Sequence, residues 1–324
     1  MLHPIACCLA FLSVPGIGRK TLFDFRNQIA GIDSSHAAFS LLRNIQKKFS
    51  GRIRSLPDEG AFLEVLSSSQ LILEKQEDMD IHSLFFTDPR FPVSLLDLSV
   101  PSIFFFYKGN ISALEKKCLA MIGSRSLSPI LEKVGIHAGS FAASYGWAVV
   151  SGLALGADTA LHRGGLDAHG ILIGVLPTSL EKVYPSQNRS LSQSIIDTGG
   201  CLISEYPLGT NASPARLVER DRLQSGIARG IFVLAAKSSG GSWHAIQTAK
   251  ALNLPIGFFD FRSFPAYSVY SDFVQGIDRL VHMGAFPVSN SASFTEFLNR
   301  CNSVSCCPRF SPTSFFNQKE GVRT

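Results

Sequence analysis

CLAMIGSR, residues 118–125, is a run of five apolar residues that stops at Gly123-Ser124-Arg125, and WAVVSG, residues 147–152, stops in the same way at Ser151-Gly152. In a parallel sheet the carboxyl ends of neighbouring strands open on one crevice. Small residues there let a ligand reach backbone N–H groups, and the N-terminus of the following helix attracts anions. The two turns point to phosphate binding, and so to a nucleotide or nucleic acid.

The alternation continues outward from this pair. β-rich runs recur at GILIGVL (170–176), GCLIS (200–204), GIFVLAA (230–236) and LPIGFF (254–259), separated by the amphipathic stretches 128–146, 157–170, 186–199, 214–229 and 241–253. Strands alternating with helices of this length imply right-handed βαβ crossovers and a mostly parallel sheet covered on both faces. The expected class is α/β, an extended Rossmann-like, doubly wound sheet. Ahead of it, residues 1–82 read as a small helical domain, and the aromatic segment 91–110 leads into the sheet domain, 83–290. Phe104, Phe105, Phe106 and Tyr107 read as core rather than as a base-stacking platform. Beyond 260 the chain reads as loop, a helical turn and a capping strand; residues 291–324 read as a short helix and a poorly ordered Ser- and Pro-rich tail.

Composition sets further bounds. With 324 residues and 45% hydrophobic content the chain can bury a sizeable core. Lys and Arg outnumber Asp and Glu by 30 to 25, a mild basic bias compatible with a polyanion partner. The cysteines, an odd seven without a Cys-x-x-Cys pair, fit a reducing cytoplasm and suggest no metal site. The N-terminal run PIACCLAFLSV reads as a buried helix rather than a leader, and no stretch has the length of a membrane span. No G-x-G-x-x-G follows the first strand and no P-loop motif occurs, which argues against NAD chemistry and P-loop ATPase activity. Pro15-Gly16-Ile17-Gly18, between apolar segments and before Arg19-Lys20, reads either as a helix-hairpin-helix turn that holds one DNA phosphate or as an ordinary helix connection.

Four ordered stretches, MIGSRSLSP, VVSGLALGADTALHRGGLDAHG, VLPTSLEKVYPSQNRSL and LISEYPLGT, closely resemble the DNA-processing protein A (DprA/Smf) family. The resemblance spans about residues 85–290. It implies a non-catalytic, cytoplasmic, dimeric protein without cofactor that binds single-stranded DNA without strong sequence preference, protects incoming DNA and loads a RecA-type recombinase in natural transformation. The sequence also departs from the family pattern. Pro177 stands for a glycine, Arg220-Asp221-Arg222 for Arg-Asn-Arg, and Ala235 or Ala236 for an acidic residue before Lys237, while a C-terminal winged helix has no counterpart.

The nucleic-acid contacts expected are Gly123, Ser124 and Arg125 at the first strand end, Ser151 and Gly152 at the second, and Arg163 on the helix after it. Lys182, Tyr184, Asn188 and Arg189 combine cations, a ring and an amide, the mixture that single strands need. Arg220 and Arg222 are placed beneath the same crevice, and Lys237, Ser239, Gly240, Gly241 and Ser242 form a phosphate-sized turn opening a helix. Each has a plainer alternative: salt bridges for Arg125, Arg220 and Arg222, loop locking for Tyr184, a structural turn at 239–242. Asp158 reads as a helix cap and His162 as a packing residue. Two rival functions use the same fold: a phosphoribohydrolase-like enzyme, for which no Glu follows the Gly240 turn, and a sensor of a small nucleotide.

Overall fold

A computed structural model describes residues 2–263 and 271–304. Five helices come first: α1 (Pro4–Leu12), α2 (Arg19–Asp24), α3 (Arg26–Ala30), α4 (Ser35–Lys48) and α5 (Glu59–Glu77). Their starts are written in the sequence. His3, Ser34 and Asp58 each accept a hydrogen bond from a backbone N–H of the first turn, which satisfies donors the helix leaves open. α1 buries Ile5, Cys7, Cys8 and Phe11, and Phe11 stacks on Phe62 of α5 at 5.8 Å. PIACCLAFL is therefore an interior helix.

Among the described residues nine strands form one sheet: β1 (His82–Phe85), β2 (Phe104–Gly109), β3 (Lys117–Ile122), β4 (Trp147–Ser151), β5 (Leu172–Val175), β6 (Cys201–Ser204), β7 (Ile231–Val233), β8 (Ile256–Phe259) and β9 (Phe286–Val288). The order is β1-β2-β6-β5-β4-β3-β7-β8-β9. All pairings from β6 to β9 are parallel, whereas β2 runs antiparallel to both β6 and β1. The chain winds outward from β3 to β6, then returns to lay β7 on the other side of β3. The switch point thus lies between β3 and β7, where open α/β sheets bind ligands.

Successive side chains of each strand enter different cores, as the two-residue period requires. Leu119, Met121 and Val149 meet Ala138 and Leu161, contributed by α6 (Pro129–Ser144) and α7 (Ala157–Asp167). Cys118, Ala148, Val150 and Ile173 meet Leu223 and Ile227 of α9 (Pro214–Ile227). Between these helices in sequence lies α8 (Arg189–Asp197), which adds Leu191 and Ile195 to the first core. Strands buried on both faces explain the unbroken apolar runs. Phe104, Phe105 and Phe106 are also buried, as core residues of β2.

After β7 follow α10 (Ser242–Ala251), α11 (Ser271–His282) and α12 (Ser291–Asn302). The expectation of a mere helical turn after residue 260 is corrected by α11, twelve residues long, which buries Phe273, Ile277 and Leu280 on one stripe. Its Gly276 interrupts the pattern for a packing reason: a Cβ there would lie 1.8 Å from the carbonyl oxygen of Ala236. α12 is part of the core, with Phe294 stacked on Phe232 at 4.8 Å. The tail expected to be disordered, 305–324, lies outside the described residues.

An ion network joins the leading helices to the sheet. Arg19 reaches Glu219 at 2.8 Å and Glu205 at 3.3 Å, and Arg222 grips both oxygens of Glu205 at 2.7 and 2.8 Å. Arg19, the first cation after Pro15-Gly16-Ile17-Gly18, therefore points inward to a carboxylate pair rather than outward to a phosphate. Cys7, Cys8, Cys118, Cys201 and Cys301 are buried free thiols. Among the described residues no helix is long and apolar enough to cross a membrane, and no group of three or more His, Cys, Asp or Glu is placed to hold a metal ion.

Candidate nucleic-acid interface

The strand-end turns after β3, β4 and β7 interlock. The Ser124 N–H donates to the Ala235 carbonyl at 2.8 Å, the Ala157 N–H donates to the Ser124 carbonyl at 3.0 Å, and the Ser242 hydroxyl donates to the Gly123 carbonyl at 3.1 Å. Gly156, at φ +80°, is the residue this requires: a Cβ would meet the Arg125 carbonyl oxygen at 2.4 Å. Gly123 is equally constrained, its Cβ position lying 2.6 Å from the Ala157 methyl group. α11 supports the third turn from outside, with Arg279 lying 3.8 Å over the Trp243 ring and donating to the Ser238 carbonyl.

Between these turns lies a cavity of about 330 Å³ at the switch point. Its rim carries Gly123, Ser124, Arg125, Lys237, Ser239, Gly240, Gly241 and Ser242, all expected from the sequence. Arg125 and Lys237 are exposed there, and among the described residues Arg125 has no hydrogen-bond or ion-pair partner. The floor holds Asp158, Arg220, Asp221 and Gln224, with Trp243 and Ala245 adding apolar wall. A groove lined by Arg125, Ala154, Leu155, Pro177, Tyr184 and Arg220 continues from the rim, and Tyr184 is 46% exposed on it.

Four of the expected contacts, Ser151, Gly152, Asn188 and Arg222, are corrected. Ser151 is fully buried, its hydroxyl donating to the Met121 carbonyl at 2.6 Å. Asn188 is buried too, its amide donating to the Leu153 carbonyl and the Thr159 hydroxyl. Gly152 offers no open approach: a Cβ there would collide with Arg220 and with Asp158, so this glycine is the passage for the guanidinium. Arg222 lies two residues from Arg220, hence on another side of α9, and is consumed by Glu205. Arg163 faces Glu132 at 3.5 Å and does not line the cavity. Lys182, reaching Asn211 at 3.3 Å, and Arg189 are exposed but line neither the cavity nor the adjoining groove. Asp158 does not cap α7; its carboxylate accepts from the Ala154 N–H at 3.2 Å and lies on the floor. His162 does pack, its Nε2–H donating to the Gly152 carbonyl at 2.9 Å, and burial drives its pKa down to about 4, so it is neutral.

Sequence reading missed Gln224 and the floor position of Asp221. The available signal was helical spacing, since Arg220, Asp221 and Gln224 fall within one turn of α9. Burial pushes the Asp221 carboxyl up to about 6; Arg220, ion-paired at 3.1 Å, and Arg125 oppose this, and Asp158 reinforces it. Asp158 is raised by burial as well, against the pull of Arg220. A carboxyl raised in the folded state stabilises it below its unfolded pKa of 3.8, and that contribution is lost as pH rises through about 6. The stability difference between Asp221→Asn and the parent chain should therefore move in favour of the variant across this window. Paired urea titrations test this, and a constant difference would refute it.

A family model described as DNA recombination-mediator protein A matches residues 82–299. Protein Smf of Escherichia coli is 33% identical over 162 residues, 50% of this chain and 43% of that protein. DNA processing protein DprA of Streptococcus pneumoniae is 34% identical over 161 residues, 48% of this chain and 54% of that protein, so the chain spans about half the length of these curated relatives. DprA of Bacillus subtilis is 26% identical over 232 residues, 71% of this chain and 76% of that protein. Among solved structures, DNA processing protein A of S. pneumoniae superposes with a TM-score of 0.71 at 22% identity, over 90% of this chain and 97% of that one. A DNA processing protein A from Helicobacter pylori, solved for its single-stranded DNA binding mode, gives 0.58 at 23% identity over 68% and 96%. The shared fold is Rossmann-like, and with residues 82–299 matched, the chain belongs to the DNA recombination-mediator protein A family.

Proposed function

We propose that this chain is a non-catalytic protein that binds single-stranded DNA along the crevice between β3 and β7. The observation that carries this reading is the cavity at the switch point, rimmed by two glycine-serine turns and by the exposed Arg125 and Lys237, with Tyr184 on the adjoining groove. Backbone N–H groups and cations hold phosphates, while a half-exposed ring is a platform for an unstacked base. The relative from H. pylori studied for single-stranded DNA binding supports the same assignment.

Arg125→Ala should weaken binding to a mixed-sequence single strand about tenfold and reduce the salt dependence by about one counterion. Fluorescence anisotropy across a salt series measures both. Unchanged affinity would remove Arg125 and the crevice from the interface. Nucleoside monophosphates should release no free base on incubation, because both floor carboxylates face the Arg220 cation; base release seen by chromatography would establish the enzymatic alternative instead.

The wider role we propose is the one the family resemblance implies: the bound strand is protected and passed to a RecA-type recombinase by a homodimer in the cytoplasm during DNA uptake. Buried free thiols favour such a reducing compartment. Sedimentation of the full chain tests the dimer, and recombinase loading onto a coated strand tests the handover.

A further inference from the structure

The leading helical domain lies ahead of residues 82–299, the part matched to the family, and its charge is divided along the chain. Residues 15–57 hold eight Lys and Arg against Asp24 and Asp33, whereas residues 58–80 hold seven Asp and Glu against Lys75. Of the eight, Arg19 is spent on Glu205 and Glu219. Arg43, Lys47, Lys48, Arg52 and Arg54 are exposed, and among the described residues none of them has an ion-pair partner.

The fold gathers these cations and holds them. Arg43 and Lys47 stand one turn apart on α4, so they share a face. Lys48 Nζ lies 4.9 Å from the Phe25 ring centre and 5.7 Å from that of Phe49, and the Arg52 guanidinium lies 4.8 Å over Phe49. Phe25 and Phe49 pack edge to face at 6.3 Å, which gives Lys48 and Arg52 one aromatic base. Arg52 also donates to the Thr21 hydroxyl at 2.5 Å. The Pro15-Gly16-Ile17-Gly18 turn supports the same place from behind: Gly16 has φ +92°, and a Cβ there would lie 2.8 Å from the Arg52 carbonyl oxygen. This turn thus seats the segment that carries Arg52. The dipole of α4 accounts for Lys47 and Lys48 in its last turn, but not for Arg52 and Arg54 beyond it. Like charges held together without counter-charge repel, and a polyanion relieves that repulsion.

We propose that the helical domain binds the phosphate backbone of duplex DNA through Lys47, Lys48, Arg52 and Arg54, on a surface separate from the strand-end crevice. An interface with a folded protein needs an apolar centre depleted of charge. The large apolar side chains that this domain exposes, Val65, Leu71 and Met79, lie on α5 or just after it, and none is on α4 or the turn at 49–54. A single strand needs open rings on which its bases stack. Here Phe25 is buried, Phe49 is half-buried, and both are covered by cations. A duplex keeps its bases stacked on one another and presents phosphates outward, so cations alone satisfy it. This surface and the crevice act independently, and either can fail without the other.

Anisotropy titrations of the full chain with a blunt-ended duplex of mixed sequence, over a salt series, provide the test. Lys47→Gln/Lys48→Gln should bind the duplex about tenfold more weakly and lower the salt slope by about two, while its affinity for a single strand stays within about twofold. Arg54→Gln alone should weaken duplex binding about threefold, and circular dichroism establishes that each variant is folded. Lys116→Gln/Lys117→Gln, at exposed residues where β3 begins, removes the same charge and should leave duplex binding unchanged. No duplex binding by the parent chain, parent-like binding by the Lys47/Lys48 and Arg54 variants, or an equal loss in the Lys116/Lys117 control overturns the duplex surface. An equal loss of single-strand affinity in the Lys47/Lys48 variant overturns it too, by making these cations part of a single-strand track. So does polyglutamate that competes as well as the duplex, charge for charge, which assigns the surface to an acidic polypeptide. The expected duplex loss supports the surface even where Arg125→Ala leaves single-strand binding unchanged, the result that removes the crevice.

Discussion

Gly164→Ala is expected to destabilise the fold by at least about 3 kcal/mol, the upper end of what overpacking ordinarily costs. Two opposing effects act at this position. Alanine in a helix interior is favoured over glycine by about 1 kcal/mol. Against that, a Cβ at Gly164 would lie 1.8 Å from the carbonyl oxygen of Ile136, and its counterpart Gly139 faces the Leu161 carbonyl oxygen at 2.1 Å. α6 and α7 cross backbone to backbone through these glycines, and a backbone obstacle cannot rotate away as a side chain can. The clash therefore outweighs the propensity gain. Because α6 follows the turn with Arg125 and α7 follows the turn with Gly152, forcing the helices apart also pulls the rim away from the floor. Thermal unfolding followed by circular dichroism measures the effect, with Gly240→Ala as reference, since a Cβ at Gly240 meets no atom within 4 Å. Equal melting temperatures for the two variants would contradict this packing.

Arg220→Met should cost about 3–5 kcal/mol, the range for removing one partner from a buried charge cluster. Arg220 is 4% exposed; it donates to the Val175 carbonyl, pairs with Asp221 and offsets the burial of Asp158. Methionine fills the volume but leaves two carboxyls facing each other with no cation between them. Both are already raised by burial, and both would be raised further. A group with a raised folded pKa favours the folded state at low pH and ceases to do so above that pKa. The loss should therefore be larger at about pH 8 than at about pH 5, where the Asp221 carboxyl, already raised to about 6, is largely protonated. Urea unfolding at the two pH values gives the comparison, and a loss independent of pH would show that Arg220 acts by packing alone. Arg220→Lys should not rescue the chain, because one ammonium lacks the planar fork that serves a carbonyl and a carboxylate together.

α11 shows why part of the fold resisted reading. Phe273, Ile277 and Leu280 carry a helical stripe, yet Gly276 falls inside it and reads as a break. The glycine is there for close approach to Ala236, a partner forty residues away in sequence. β3 and β4, in contrast, were plain, because strands buried on both faces carry unbroken apolar runs, Cys118 to Ile122 and Trp147 to Val150, that end at small residues.

The site divides along the same line. Gly123, Ser124, Arg125 and the turn 239–242 were legible from local chemistry, since a glycine-serine turn between a strand and a helix carries its meaning within a few residues. Arg220 and Arg222 looked equivalent, and only the packing of α9 separates them, one entering the crevice through the space left by Gly152 and the other closing on Glu205. Ser151 and Asn188 looked like ligand contacts and are internal hydrogen-bond partners beneath it.

The sequence by itself determined the class of fold, the strand-end turns and the rim residues that the cavity brings together, because each depends on short-range periodicity and on residues close together in the chain. The tertiary structure alone decided that Asp158, Arg220, Asp221 and Gln224 share one floor beneath the rim of Arg125 and Lys237. Those residues come from two helices separated by two strands, and which of their side chains share a cavity depends on how α7 and α9 pack against opposite faces of one sheet.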